Sequence, residues 1–235
     1  MKTVAAMSVV LCGLLCSCSG MKSNQPPPTV YVVKAENAGG EKAAKNLSIV
    51  VVPEPSVPAG FESDKIIVYL DGGRRLDYAA GANWPAPLSK MLQGFTLQSA
   101  QGVGSILAVT PEAGVTAGYR LGFIVNDFEP VYAGNAVGVP ELKVSLTFTL
   151  VSLKTDKLVD TFTIVKTQAA SANSLTAITA GMESILSGMM SEALQRLAPQ
   201  MARAKHRQER KAYDDQESEQ RLPPAIEKGQ EPGHL

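Results

Sequence analysis

The residues best suited to chemistry are three cysteines near the start of the chain. Cys12, Cys16 and Cys18 are the only cysteines among 235 residues, and they could form a disulfide, bind a metal or act as a processing signal. A metal site needs further thiolate or imidazole ligands at defined spacing. The only histidines, His206 and His234, lie far away in a charged tail. The sequence therefore predicts no metal site and no cofactor, and it favours a processing signal.

An apolar segment before Cys18 supports the processing interpretation. The segment reads VAAMSVVLCGLLCS and has the length of a signal-peptide core, which is too short for a permanent transmembrane helix. The run from Leu15 to Cys18 has an aliphatic-x-small-Cys pattern that resembles the lipobox of bacterial lipoproteins. The resemblance implies that residues 1–17 are a cleaved signal peptide and that the Cys18 thiol receives a diacylglyceryl group. Cys12 and Cys16 are interpreted as small apolar residues of the signal.

Lipidation of Cys18 would also determine where the domain is located and whether it can form a disulfide. The mature chain would keep a single cysteine whose sulfur is bonded to lipid, so no disulfide could form. Two or more acyl chains give stable anchoring without a transmembrane helix. Ser19 follows the cysteine, at a position where aspartate is the usual inner-membrane retention signal. We therefore expect an outer-membrane anchor with the domain facing the periplasm.

The charge balance argues against one class of partner. The chain has 22 basic and 22 acidic residues, whereas a nucleic-acid-binding protein normally shows a basic excess or a basic stripe. Hydrophobic residues make up 45% of the chain, and a mature chain of about 215 residues suits one domain with tails. We expect a globular domain without a nucleic-acid partner.

Catalytic residues are not expected in the folded part. Catalytic nucleophiles are commonly activated by histidine, and residues 29–201 contain neither histidine nor cysteine. Two carboxylate pairs, Asp71 with Asp77 and Asp127 with Glu129, leave open a carbohydrate hydrolase, because glycoside hydrolysis needs only two suitably separated carboxyls. We favour a structural interpretation, with turn and strand-edge residues in the first pair and a solvated strand end in the second. No phosphate-binding or dinucleotide-binding glycine motif occurs.

The segments that would position these residues alternate between strand and helix patterns. Residues 18–28 are polar and proline-rich and predict a flexible tether. The β-branched runs TVYVVKA and LSIVVVPEP predict strands. The Asp71-Gly72-Gly73 turn predicts a hairpin. Helical spacing follows Pro85, and a second hairpin is predicted to turn at Lys154 to Lys157.

The clearest helix is predicted for residues 174–201, where apolar residues recur at three- and four-residue steps. Its methionines could line a lipid- or partner-binding groove, although packing against the sheet is favoured. Residues 202–235 are predicted to be a charged, largely disordered tail, in which the helix could continue toward Pro223 without packing. These patterns predict a single α+β domain over residues 29–201, with an antiparallel or mixed sheet packed against two helices.

One tract carries a family resemblance. The tract LDYAAGANWPAPL, in which Tyr78 and Trp84 precede a proline-started helix, is followed by YRLGFIVNDFEPVYAG and by the late hairpin and helix. Together they are similar to the ABC-type transport auxiliary lipoproteins over roughly residues 31 to 201. In that family the tract is a structural signature and not an active site.

The resemblance implies a non-enzymatic accessory subunit of a mammalian-cell-entry-type transport system, which moves lipids between two membranes while ATP is consumed elsewhere. Such a subunit would dock a mammalian-cell-entry-domain protein, and exposed strand edges offer one docking mode. Arg74, Arg75 and Trp84 are candidate partner contacts because they lie on or beside the signature hairpin, although packing of Trp84 between hairpin and helix is favoured. Symmetric self-association is expected if the protein rings an extended partner. The alternative is a structural assembly lipoprotein of a secretion or surface-polymer export system.

Overall fold

The computed structural model describes residues 26–35 and 47–220, so the cysteines and the expected signal peptide lie outside the described residues. The described residues form a single α+β domain with one mixed sheet of eight strands and two α-helices. The elements in chain order are β1 Thr29–Val30, β2 Ser48–Val51, β3 Lys65–Leu70, β4 Arg75–Asn83, α1 Leu88–Gln101, β5 Ile106–Val109, a 3₁₀ turn Pro111–Ala113, β6 Tyr119–Val131, β7 Glu141–Ser152, β8 Lys157–Ala169 and α2 Leu175–Gln220.

The long strand β6 organises the sheet. One of its edges pairs antiparallel with β7 along its whole length, and β7 pairs in turn with β8. The other edge is shared, because β2 pairs in parallel near the start of β6 and β3 pairs in parallel at Val131. Strand β5 extends the sheet beyond β2, while β4 and β1 extend it beyond β3. The predicted hairpins are therefore confirmed, whereas the first predicted strand is reduced to Thr29–Val30.

A β-bulge in β6 changes which side chains face the core. Leu121, Phe123 and Val125 are buried in alternation, as expected for one face of a strand. The register then shifts between Val125 and Asp127. Because the extra residue reverses the alternation, Phe128 becomes the next core-facing side chain, and it is buried.

Both helices cover one face of the sheet. Thr96 of α1 and Leu194 of α2 line the same apolar region as Leu121 and Leu150 of the sheet. The methionine-rich stripe of α2 is buried there, so the prediction that it packs against the sheet is confirmed. Its buried members are Ile178, Met182, Ile185, Met189, Ala193, Leu197 and Met201.

Polar and aromatic contacts fasten α2 to β8. The Arg196 guanidinium donates two hydrogen bonds to the Asp160 carboxylate, at 2.8 and 3.1 Å. The same guanidinium lies 4.0 Å from the centre of the Phe162 ring, and Phe162 stacks on Phe148 of β7 at 5.4 Å. The interaction lowers the pKa of Asp160, mainly through the hydrogen bond from Arg196.

The helix α2 continues well beyond the packed domain. It runs to Gln220, whereas residues 202–235 are predicted from sequence to be largely disordered. The helical part of that stretch is rich in Ala, Arg, Lys, Gln and Glu, which are strong helix formers, and it extends a helix already fixed by packing. Residues 221–235 lie outside the described residues. In the part of the chain that the structure describes, no helix is long and apolar enough to span a membrane.

Candidate docking surface at one end of the sheet

The turn between β3 and β4 is built from residues that adopt positive φ. Asp71, Gly72 and Gly73 have φ values of 54°, 66° and 89°, a region that glycine adopts without steric cost. The backbone N–H groups of Gly73 and Arg74 donate to the Leu70 carbonyl, each at 3.1 Å. The turn therefore places Arg74 and Arg75 at the surface, at one end of the sheet.

A second loop is bonded to this turn. The Gly72 N–H donates to the Tyr132 carbonyl at 2.8 Å, and the Asp71 N–H donates to the Gly134 carbonyl at 3.2 Å. The Arg75 guanidinium donates to Asn135 Oδ1 at 2.7 Å. We call the surface formed by residues 71–75 and 132–140 the hairpin end.

The hairpin end combines cationic and aliphatic side chains. The Arg74 side chain is exposed and has no hydrogen-bond or ion-pair partner among the described residues. The Arg75 side chain is 54% exposed and lies 3.5 Å from the Asp71 carboxylate. Val137 and Val139, in the loop after β6, are 83% and 53% exposed. The hairpin end therefore exposes aliphatic and cationic side chains at the same end of the sheet.

Trp84 is placed differently from the two arginines. Its side chain is buried, and its ring centre lies 6.1 Å from that of Phe128 on β6. Its backbone N–H donates to the Asp64 carbonyl at 2.7 Å. The structure thus does not bring Trp84 together with Arg74 and Arg75 on one surface, and the indole packs inside the domain.

The outer edge of β4 is largely open. It pairs with β1 only at Ala82 and Asn83, and the stretch from Arg75 to Gly81 has no strand partner on that side among the described residues. A groove of about 650 Å³ follows this edge and is lined by Pro26 and Pro28 of the tether, together with Tyr78, Ala79, Ala80 and Gly81. Unpaired strand edges can accept an extended peptide as an additional strand.

The second carboxylate pair is not a solvated strand end, so that interpretation is wrong for Glu129. The Glu129 side chain is only 5% exposed, and it accepts a hydrogen bond from the Phe128 N–H. Desolvation is the main cause that raises its pKa to about 7, and the charge of Asp127 adds to the effect. Asp127 itself is paired with Lys143 on β7 at 3.0 Å. A carboxyl enclosed in this way cannot flank the scissile bond of a sugar, as glycoside hydrolysis requires.

The first carboxylate pair also has other partners. Asp71 lies beside Arg75, and Asp77 accepts a hydrogen bond from the Tyr78 N–H at 2.8 Å. Within residues 26–35 and 47–220, no group of three or more His, Cys, Asp or Glu side chains could hold a metal ion.

Two features at this end of the domain were not predicted from the sequence patterns. Lys143 is the partner of Asp127, but it lies on the neighbouring strand, and only the register of β6 with β7 brings them together. The exposed Val137 and Val139 lie in the loop sequence AGNAVGVP. The sequence did indicate that these two valines are exposed, because aliphatic residues within a glycine-rich loop have no helix or strand that could bury them.

The chain is similar to a known protein family and to several solved structures. A model of the family described as "ABC-type transport auxiliary lipoprotein component" matches residues 31–202. A crystal structure of a Xanthomonas campestris protein of the DUF330 family is similar, with a TM-score of 0.62 and 18% identity over 76% of this chain and 99% of that chain. A crystal structure of an uncharacterized protein has a TM-score of 0.57 and 12% identity, over 73% of this chain and 99% of that one.

A PelC dodecamer from Paraburkholderia phytofirmans is less similar, with a TM-score of 0.40 and 13% identity over 69% of this chain and 94% of that chain. No curated protein sequence matches the chain significantly. At these identities the two stronger structural likenesses concern the fold. Because the family match covers most of the chain and includes the signature hairpin, the long β6–β8 sheet and the packed part of α2, the protein belongs to the ABC-type transport auxiliary lipoprotein component family.

Proposed function

We propose that this protein is a non-enzymatic accessory subunit of an ABC-type envelope transport system of the mammalian-cell-entry type, which moves lipids between two membranes. The observation that carries the proposal is the family match over residues 31–202. The protein would dock the periplasmic end of a mammalian-cell-entry-domain partner, while an ATPase elsewhere in the system consumes ATP. A domain with this task needs a stable scaffold and an exposed surface, and it needs no catalytic residues.

The proposed location is the outer membrane, with the domain in the periplasm. Cys18 would carry the lipid after removal of residues 1–17, and residues 18–28 would tether the domain. Support comes from the lipobox-like run ending at Cys18 and from the absence of aspartate at position 19. Each buried methylene of an acyl chain contributes about 0.8 kcal/mol to membrane affinity, so two or more chains would hold the domain there.

Partner docking is proposed to use exposed strand edges and the surface next to them. The outer edges of β4 and β8 have free backbone groups along most of their length within the described residues, and such edges can accept a strand from another chain. Arg74 and Arg75 are exposed where the β4 edge begins, and the docking proposed here uses the edge beyond them. The buried Trp84 would contribute by supporting the hairpin.

The anchor is tested by the intact mass of protein extracted from membranes. The wild-type chain is expected to lack residues 1–17 and to carry a diacylglyceryl group on Cys18. The Cys18→Ala variant is expected to keep its signal peptide and to lack the lipid. An unmodified wild-type chain recovered in the soluble fraction would contradict the anchor.

The partner is tested by affinity purification after mild crosslinking, with the lipidated wild-type chain as bait and another tagged lipoprotein from the same membrane as control. Specific recovery of a mammalian-cell-entry-domain protein is expected. If only secretion or polymer-export proteins are recovered, the role in lipid transport is wrong and a structural assembly lipoprotein is the better description.

A further inference from the structure

The hairpin end, formed by residues 71–75 and 132–140, presents cationic and aliphatic side chains to solvent. The Arg74 side chain, unpaired among the described residues, could neutralise a phosphate group, and Arg75 stays 54% exposed although it lies 3.5 Å from the Asp71 carboxylate. Basic residues close to an anionic bilayer are attracted to it. Its two exposed valines protrude from a loop and could enter the boundary between headgroups and acyl chains. Three hydrogen bonds join the turn to residues 132–135, so the arginines and the loop that carries the valines lie at the same end of the sheet.

The direction of the chain provides a second and independent observation. β4 runs away from the hairpin end, from Arg75 to Asn83, and β1 is parallel to it with Thr29 opposite Ala82. The residues that precede Thr29 therefore lead back toward the hairpin end. Pro26 lines the groove along β4, which agrees with this direction.

The length of the remaining chain is sufficient. Residues 18–25 lie outside the described residues and can span at most about 28 Å when fully extended. The strand from Ala80 back to Arg75 covers about 17 Å. An anchor at Cys18 can thus enter a bilayer directly beside the hairpin end.

We propose that the hairpin end rests on the anionic phospholipid surface of the membrane that holds the lipid anchor, with Arg74 and Arg75 next to headgroup phosphates and Val137 and Val139 at the headgroup–acyl boundary. The proposal rests on the proposed lipidation of Cys18. It goes beyond anchoring, because the folded domain itself would be oriented by the membrane. The opposite end of the sheet would then face away from the bilayer.

The orientation is tested with fluorescent labels on single cysteines of the lipidated full-length protein. The labelled positions are Val137→Cys in the hairpin end and Thr155→Cys in the exposed β7–β8 turn at the opposite end of the sheet. Both variants are reconstituted in vesicles of phosphatidylcholine and phosphatidylglycerol that contain a headgroup-proximal quencher on lipid. We expect the label at position 137 to be quenched at least about twofold more than the label at position 155.

Charge reversal tests the part played by the arginines. In the Val137→Cys background, Arg74→Glu is expected to reduce the quenching of the label about twofold or more in phosphatidylglycerol-containing vesicles. The matched control, Lys157→Glu, reverses an exposed charge at the opposite end and should leave the quenching unchanged. Unfolding temperatures of all variants show whether they fold.

Equal quenching at positions 137 and 155 would overturn the proposal. Protection of position 137 that occurs only after addition of the recovered transport partner would also overturn it, because the hairpin end would then contact protein. If mass analysis finds no lipid on Cys18, the proposed anchor is wrong, and this outcome is distinct from failure of the proposed orientation. The orientation is then tested on mature unlabelled protein coupled through Cys18 to a maleimide lipid, by comparing hydrogen exchange of residues 133–139 with that of residues 153–157. Protection of the first segment alone would support the proposal, and equal exchange would contradict it.

Discussion

Glu129 is an acidic side chain that is almost completely buried. Its burial is the main reason that its pKa is about 7, while the Phe128 N–H and Lys143 act in the opposite direction. In the unfolded chain its pKa should be near the ordinary value of 4.5. Between these two pH values the folded protein therefore binds more protons than the unfolded chain. The stabilisation associated with neutral Glu129 is complete below about pH 4.5 and is lost as the pH rises through 7.

Glu129→Gln is expected to remove this pH dependence. Wild-type protein should lose up to about 3 kcal/mol of unfolding free energy from this group between about pH 4.5 and pH 8. The amide stays neutral at every pH, so the variant should lose less over that range and be more stable than wild type near pH 8. Urea unfolding at several pH values measures both quantities.

A matched control is Glu112→Gln, which changes an exposed carboxyl in the 3₁₀ turn and should leave the pH profile as in wild type. If Glu129→Gln shows the same slope of stability against pH as wild type, the Glu129 carboxyl is ionised in the folded protein. A variant that is less stable at every pH would mean that the carboxyl makes hydrogen bonds that the amide cannot replace.

At the level of elements, α2 approaches β7 so closely that one helical position has no room for a side chain. A Cβ atom added at Gly181 would lie 2.3 Å from Leu142 Cδ1 and 3.3 Å from Gln168 Nε2. Leu142 is completely buried and cannot move away without disturbing the core. The contact between helix and strand therefore depends on this glycine.

Gly181→Ala is expected to lower the unfolding free energy by about 1–3 kcal/mol, because overpacking outweighs the gain in helix propensity. Gly188 is the matched control in the same helix, since no atom lies within 4 Å of an added Cβ. Gly188→Ala should stabilise the protein by up to about 1 kcal/mol. Chemical unfolding of both variants gives the comparison, and equal effects at the two positions would refute the close approach.

The order of elements could be predicted because each has a local pattern. The glycine turn after Leu70 marks the first hairpin, and the spacing from Ile178 to Met201 marks the packed part of α2. The sharing of one β6 edge by β2 and β3 depends on pairing between distant segments, which leaves no local pattern. The bulge at Asn126 has none either, and no local pattern indicates that Glu129, predicted from sequence at a solvated strand end, is buried.

The candidate surface was predicted only in part. The glycine turn predicts a hairpin with Arg74 and Arg75 on or beside it, and in the structure both residues are exposed there. The joining of this turn to the loop after β6 could not be predicted, because it rests on backbone hydrogen bonds to Tyr132 and Gly134. These groups are present at every residue, so sequence carries no signal for their pairing.

At the scale of the whole molecule, α2 connects the two ends of the sheet. It begins next to the hairpin end, where Asn173 accepts a hydrogen bond from the Tyr132 hydroxyl at 2.8 Å. At the opposite end the Tyr119 hydroxyl donates to the Met201 carbonyl at 2.9 Å. The helix then continues through residues 202–220, a further distance of about 28 Å. If the hairpin end faces the membrane, this extension points away from it.

The helical extension should contribute little to the stability of the domain. Met201 is the last buried residue of α2 among those described, and Arg203, Arg210 and Tyr213 beyond it are exposed. A chain ended after Lys205 should therefore unfold within about 2 °C of wild type. A control chain ended after Leu194 removes the buried Leu197 and Met201 and should lose far more, or fail to fold.

The same shortened chain can assign a role to the extension. Its stability is measured by thermal unfolding, and a fall of more than about 4 °C would mean that residues after 205 pack on the domain. If stability is kept but the crosslinked partner is no longer recovered, the extension takes part in docking. Recovery at the wild-type level would instead show that docking uses the domain itself, as proposed for the sheet edges.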